Sequence, residues 1–293
     1  MSFIKKMPGW LKLAVKVLVT GICLWYVSGK IEWAKSFTLM QHGNAFWLIC
    51  ATVMFIASKV VASFRLNIYF RNISVNLTEK TNLRLYWLGM FYNLFLPGGI
   101  GGDAYKIILL NRTYNFSAKQ LTAAIILDRV SGVVGLGLLA IFYYYFLFTG
   151  NTIALLLLIA IIPALFVYYL LIKKLFQAFL RSFWSTLWLG ITVQALQVAC
   201  AWCIMQGLHI EAQQAAYLLI FLLSSIVVIL PVSIGPLGTR EIVFVWGSTA
   251  LLLNKNQSVS ISITFFFITL VVSLVGVLWV YKNPLEKQTT ART

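Results

Sequence analysis

The sequence predicts an all-α polytopic membrane protein with about six full spans and two re-entrant or broken helical hairpins, arranged as an inverted repeat. Three observations carry this expectation. Hydrophobic residues make up 61% of the 293 positions and charged residues 10%, a balance foreign to soluble domains. Several apolar runs reach the ~20 residues that a helix needs to cross a bilayer. A short phrase also occurs twice, Leu96-Pro97-Gly98-Gly99-Ile100-Gly101 and Leu230-Pro231-Val232-Ser233-Ile234-Gly235. Each copy interrupts an apolar stretch with residues that stop a helix, and the ninth residue after each proline is basic, Lys106 and Arg240. Paired breaks in matching places of two halves point to the binding site of a transporter.

The elements follow in order. Lys5, Lys6 and Lys12 lead into an apolar run at 11–29. Trp25 and Tyr26 stand near its end where a signal peptide needs small residues, so it reads as a retained span. Segment 30–43 reads as interfacial, and 44–63 as the second span. Region 84–110 holds the first phrase. Arg84 to Pro97 is 14 residues, about 21 Å of helix, so the region is too short to cross twice as regular helices and could cross once as a kinked helix or enter and return as a hairpin. Spans follow at 119–148 and 152–172, then a second interfacial segment at 175–184 and a span at 185–207. Region 215–253 holds the second phrase as a hairpin that is either re-entrant or crosses twice. The last span is 259–281, and 283–293 is a polar cytoplasmic tail. Trp33, Trp47, Trp184 and Trp188 suit the aromatic belts at the two interfaces.

Charge placement supports the hairpin at 84–110. With it, Lys5, Lys6, Lys12, Arg65, Arg71, Lys80, Arg84, Arg112, Lys119, Lys173, Lys174, Arg181, Lys282, Lys287 and Arg292 share one side, and Lys30, Lys35 and Lys255 the other. The positive-inside rule then puts both termini in the cytoplasm. The first hairpin enters from the cytoplasm and the second from outside. The two halves, 1–150 and 151–282, would each read span, span, hairpin, span in opposite orientations.

The chain has seven acidic residues, and Asp103, Asp128 and Glu241 fall in or beside apolar stretches. A charge at the bilayer centre costs about 2.5–3.5 kcal/mol on insertion scales, so these must pair or face a cavity. Asp103, Lys106, Asp128, Arg129, Arg240 and Glu241 are therefore the charged site candidates, with structural neutralisation as the competing reading. Gly98, Gly99, Gly101, Gly102, Gly235 and Gly238 would let the chain turn at mid-depth and open half-helices. The free N–H groups of such half-helices suit an anion such as a phosphodiester. Tyr86, Trp87, Phe91, Tyr92 and Asn93 ahead of the first break suit an amphiphile.

Other chemistries find little support. The net charge of +16 lies between spans and at the ends, as topology and lipid contact require, so no nucleic-acid partner is expected. Cys23, Cys50, Cys200 and Cys203 lie within spans, and the C-x-x-C of Cys200 and Cys203 reads as apolar packing. His42 and His209 match no metal spacing. No Walker loop, nucleotide fingerprint or Ser-His-Asp set is present, and no cofactor is expected.

The phrases from Phe95 to Lys106, from Leu127 to Gly132 and from Leu230 to Glu241 resemble the transmembrane region of the lysylphosphatidylglycerol synthetases, a flippase-like family of inner-membrane proteins. The resemblance covers nearly the whole chain. In the multiple peptide resistance factors this region is fused to an aminoacyl-transferase domain and is thought to move aminoacylated phosphatidylglycerol between leaflets. The resemblance implies the same charged candidates, Asp103, Lys106, Asp128, Arg129, Arg240 and Glu241. The chain read here ends at Thr293 and is expected to carry no transferase domain, which leaves a separate transferase partner open.

The leading expectation is translocation of an anionic or aminoacylated phospholipid, or a lipid-linked head group, across a bacterial inner membrane. A membrane-embedded enzyme or accessory subunit in lipid or lipid-linked glycan assembly is the alternative, and a secondary carrier for a small anion is a third. A homo-oligomer stays open.

Overall fold

The computed structural model describes residues 38, 41–95, 100–229, 238–282 and 284–285. The predicted span at 11–29, most of segment 30–43, Gly98, Gly99, Gly235 and most of the tail lie outside the described residues. Among those described, all regular structure is helical.

Five helices are long and apolar enough to cross a membrane. They are α1 (Ala45–Arg71), α4 (Ala118–Leu147), α5 (Thr152–Leu175), α6 (Phe183–Gly207), reached through a 3-10 turn at Gln177–Ser182, and α9 (Lys255–Leu274). The last continues through a 3-10 turn at Val275–Val277 into the short α10 (Leu278–Tyr281). Each matches a predicted span. Three start at an asparagine whose side chain accepts a first-turn N–H: Asn44 from Phe46, Asn151 from Ile153, and Asn254 from Asn256 and Gln257. This is the preferred cap chemistry.

The two phrase-bearing regions form pairs of short helices. Helices α2 (Glu79–Phe95) and α3 (Gly101–Tyr114) pack on each other, as do α7 (Gln214–Val228) and α8 (Thr239–Ala250). Helix α7 has 15 residues and α8 has 12, about 22 and 18 Å, against the ~30 Å of a bilayer core. The second region is thus a pair of helices each shorter than a full span, like the first.

Helices α1 and α6 run antiparallel and define the two ends of the bundle. At one end the Asn44 N–H donates to the Gly207 carbonyl at 2.9 Å, and Trp47 meets Trp202 edge-on at 5.4 Å. At the other end Asn72 donates to Ser182. The α2–α3 pair is rooted at this second end. There Asn67 donates to the Leu77 carbonyl at 3.1 Å, Asn82 to the Ser63 carbonyl at 2.6 Å, and Arg71 pairs with Glu79 at 2.5 Å. The α7–α8 pair is rooted at the first end, where Trp202 donates to Gln214 at 3.1 Å and Tyr217 to Gln257 at 3.0 Å. The hairpins therefore enter from opposite ends. Their packing is reciprocal: α4 packs on α7, and α9 packs on α2, with the Trp87 indole donating to the Val272 carbonyl at 3.0 Å.

The core is built on small residues at the helix crossings. A Cβ on Gly135 would stand 3.0 Å from the Gly190 backbone, and one on Gly190 would stand 2.9 Å from the Ser131 carbonyl oxygen. Close backbone approach of this kind drives helix association in lipid, where apolar burial alone does not. At the periphery, α5 buries only Ala154 and Ile172 and exposes Ile153, Leu156, Ile162 and Phe166. A helix apolar on all sides and open on most of them belongs in hydrocarbon. Cys200 and Cys203 are buried and free, as the packing reading expects.

Candidate functional site

Four of the six charged candidates come together. Asp103 is in the first turn of α3, Lys106 one turn further on, and Asp128 and Arg129 are adjacent on α4. Ten residues separate Asp128 from the start of α4 at Ala118, about 15 Å of helix, which puts the cluster near mid-depth. Successive helical residues point ~100° apart, and this dipeptide uses the divergence. Asp128 turns to α1 and accepts from Arg65 Nε at 2.7 Å, while Arg129 Nε turns to α3 and donates to Asp103 at 2.6 Å. Asp103 is shared, because its other oxygen lies 2.8 Å from Lys106 Nζ.

These side chains line a cavity of about 270 Å³, with Lys59, Tyr86, Asn93, Gln194, Gln197 and other residues of α1, α2, α3, α4 and α6. Ile229, just past α7, closes it from the second hairpin. The volume lies at the lower edge of ligand pockets, ~300–1,000 Å³, and suits a head group rather than a whole lipid.

Two charged members were not singled out from sequence. Arg65, counted there among the charges flanking the spans, is buried inside α1, which continues past the predicted end at 63 to Arg71. Lys59 sits in the same helix, and its Nζ lies 4.6 Å above the Phe55 ring. Among the described residues no carboxylate lies within ion-pair distance of Lys59. The available signal was a cation inside an otherwise apolar window, which is functional by default in a membrane span.

Among the described glycines of the two phrases, Gly102 does work that the sequence did not disclose. Gly102 faces Gly89 of α2 so closely that a Cβ on it would overlap the Gly89 carbonyl oxygen. Its N–H donates to the Asn93 side chain at 2.8 Å. Gly89 in turn makes room for the Lys106 stem, whose ammonium lies 4.9 Å above the Tyr86 ring. Gly101 opens α3, and Gly238, at φ +86°, precedes α8. The Gly238 N–H donates to Glu241 at 2.6 Å. Both half-helix starts thus already hold a protein acceptor, Asn93 and Glu241.

Arg240 and Glu241 lie apart from the cavity. Glu241 also accepts from Ser262 of α9 at 2.9 Å and serves as a helix cap. Arg240 lies 4.6 Å from the Phe265 ring and 5.4 Å from that of Phe221, and donates to Ser225 at 3.1 Å. Lys106 and Arg240 share a register in the sequence but not in the helices: Lys106 is the sixth residue of α3 and Arg240 the second of α8. A column of aromatic rings nonetheless links Arg240 to the cavity. Phe265 meets Phe55 edge-on at 5.5 Å, and Phe55 carries Lys59 on its face.

Among the described residues no group of three or more His, Cys, Asp or Glu side chains could hold a metal ion. An apolar groove of about 400 Å³ lies further along α4 and α6, lined by Leu139, Phe142, Tyr143, Val198, Trp202 and Leu218 of α7 among others.

Long apolar spans, two half-helix pairs and a charged cavity at mid-depth define a multi-pass membrane protein built around an internal polar site. Residues 13–276 match the family described as the lysylphosphatidylglycerol synthase TM region, and the chain belongs to that family. It is similar to a UPF0104 membrane protein of Pyrococcus horikoshii, at 25% identity over 130 residues, 44% of this chain and 38% of that protein. No solved structure matches.

Proposed function

We propose that the protein moves an anionic-headed lipid between the leaflets of a cytoplasmic membrane. The observation that carries this reading is the cavity itself, in which four cations, Lys59, Arg65, Lys106 and Arg129, face two carboxylates, Asp103 and Asp128. Both carboxylates are ion-paired, which favours neutralisation over acid–base chemistry and speaks against the enzyme reading. The apolar groove along α4 and α6 gives an acyl chain a path beside the head group, and this favours an amphiphile over a small solute.

Opposed hairpins with reciprocal packing support an inverted repeat of residues 1–150 and 151–282, the architecture that alternating access uses. Arg71, Lys80, Arg84, Arg112, Lys119, Lys173, Lys174, Arg181 and Lys282 gather at the end where α2–α3 is rooted, and Lys255 stands at the other. By the positive-inside rule the end where α2–α3 is rooted is the cytoplasmic one, as in a bacterial inner membrane.

Scrambling of a labelled anionic phospholipid in proteoliposomes tests this. The wild type moves lipid faster than protein-free vesicles. Lys106→Gln and Arg129→Gln, which strip the shared carboxylate of its partners, slow transfer about tenfold each, the worth of one charge-assisted hydrogen bond. Wild-type transfer at the protein-free rate ends the proposal.

A further inference from the structure

Charge balance in the cavity identifies the class of head group. The pairs do not close. Arg65 and Asp128 neutralise each other, and Asp103 serves both Lys106 and Arg129. Among the described residues Lys59 meets the Phe55 face and no carboxylate in ion-pair range. Each described acidic residue can be placed against this count. Glu79 pairs with Arg71, Glu211 is exposed, Glu241 caps α8, and Glu32 and Glu286 lie outside the described residues. Among the described residues, then, the cavity carries two positive charges that no carboxylate answers.

The geometry makes that excess usable. A cation over an aromatic face is stabilised by the ring quadrupole without losing its charge. Phe55 under Lys59 and Tyr86 under Lys106 thus make the cavity tolerable when empty and leave both ammonium groups able to meet an anion. Arg65 adds a directed donor, since its Nη1 is buried without a hydrogen-bond acceptor. Gly132 and Gly190 leave space around this nitrogen, and a Cβ on either would stand 3.6 or 3.3 Å from it.

We infer that the cavity takes a head group bearing two negative charges on phosphate, a phosphomonoester or pyrophosphate-linked lipid, in preference to a phosphodiester. This rests on the lipid-translocation reading and narrows it. A phosphodiester brings one negative charge and leaves the second cation unanswered. An aminoacylated phosphatidylglycerol brings its ammonium as well, so its head supplies no net negative charge. The class is set by the count: Lys59, Arg65, Lys106 and Arg129 line one cavity with two carboxylates, and the Arg65 Nη1 lacks an acceptor.

The test measures binding of three lipids with identical short acyl chains to the purified full-length protein in detergent. These are phosphatidic acid, phosphatidylglycerol and phosphatidylcholine, at about pH 7.5, above the second ionisation of a phosphomonoester near 6 and low enough to keep the buried lysines charged. Inorganic phosphate and pyrophosphate are added in separate arms. Phosphatidic acid should bind about tenfold tighter than phosphatidylglycerol, with phosphatidylcholine weakest. Lys59→Gln should bring the first two within about threefold, and Lys59→Arg should restore the gap, which separates loss of charge from loss of fold.

Phosphatidylglycerol binding as tightly as phosphatidic acid overturns the inference and leaves lipid translocation standing. Binding of free phosphate or pyrophosphate with no binding of any lipid supports the charge count and overturns the lipid reading. A preference for phosphatidic acid that Lys59→Gln leaves intact overturns the assignment to this cavity.

Discussion

Arg65→Met lowers the stability of the protein by about 3–5 kcal/mol, the cost of leaving one member of a buried ion pair alone. Arg65 is 4% exposed and its Nε lies 2.7 Å from Asp128. Methionine keeps most of the stem and its packing, so the loss reports the charge. The orphan is Asp128, a carboxylate near mid-depth that shares its cavity with Tyr86 and, among the described residues, has no second cation in ion-pair range. Arg65→Met/Asp128→Leu removes both charges and regains most of the loss, because an apolar pair of similar volume matches a buried ion pair in stability. Thermal unfolding in detergent of the two single variants and the double variant gives the coupling directly. Additive losses would mean that the pair is not the link between α1 and α4 described above.

The same residue marks how far the sequence could be read. The spans were legible because lipid demands long apolar runs, and the broken regions because Pro and Gly stop helices where an apolar stretch is too short to cross. Asp103, Lys106, Asp128 and Arg129 were legible because charge is conspicuous inside such stretches. Arg65 was hidden by an ordinary boundary effect. With the span taken to end at 63, an arginine two residues further on counts as a flanking charge, and only the continuation of α1 to Arg71 brings it inside. Lys59 lay in the open but had no acidic neighbour in sequence to raise it above a snorkelling lysine. Its meaning comes from Phe55 one turn earlier and from residues of four other helices.

The repeated phrase was legible as a break and misleading as a register. Helix α3 starts four residues past Pro97 and α8 eight residues past Pro231. Basic residues at equal distance from the prolines therefore fall on different turns, one in the cavity and one on the Phe221 and Phe265 rings. The half-helix starts were expected to offer free N–H groups. That expectation omitted Asn93, on the opposite helix, and Glu241, three residues along the same one, which no local pattern of glycines discloses.

Gly102→Ala should displace the first hairpin and abolish transfer, although it adds a single methyl group. The added Cβ meets the carbonyl and Cα of Gly89, which are backbone and cannot swing aside. Relief requires α2 and α3 to separate, at the ~1–3 kcal/mol typical of overpacking. Separation also breaks the Asn93 bond to the Gly102 N–H and moves Asp103 and Lys106, the next turn of α3, relative to Arg129 of α4. Gly89→Ala is expected to be milder in stability yet still damaging to transfer, because its obstacle is the Lys106 stem. A flexible side chain can give way, but only by drawing Nζ off Asp103. Gly137→Ala, on α4 with nothing within 4 Å of the new Cβ, should stay within about 0.5 kcal/mol of wild type and transfer lipid normally. The order in melting temperature is thus Gly102→Ala lowest, Gly89→Ala next and Gly137→Ala near wild type. In transfer, Gly102→Ala and Gly89→Ala fall together. If Gly102→Ala melts and transfers like Gly137→Ala, the helices of the hairpin are not in backbone contact, and the placement of Lys106 against Tyr86 and Asp103 fails with it.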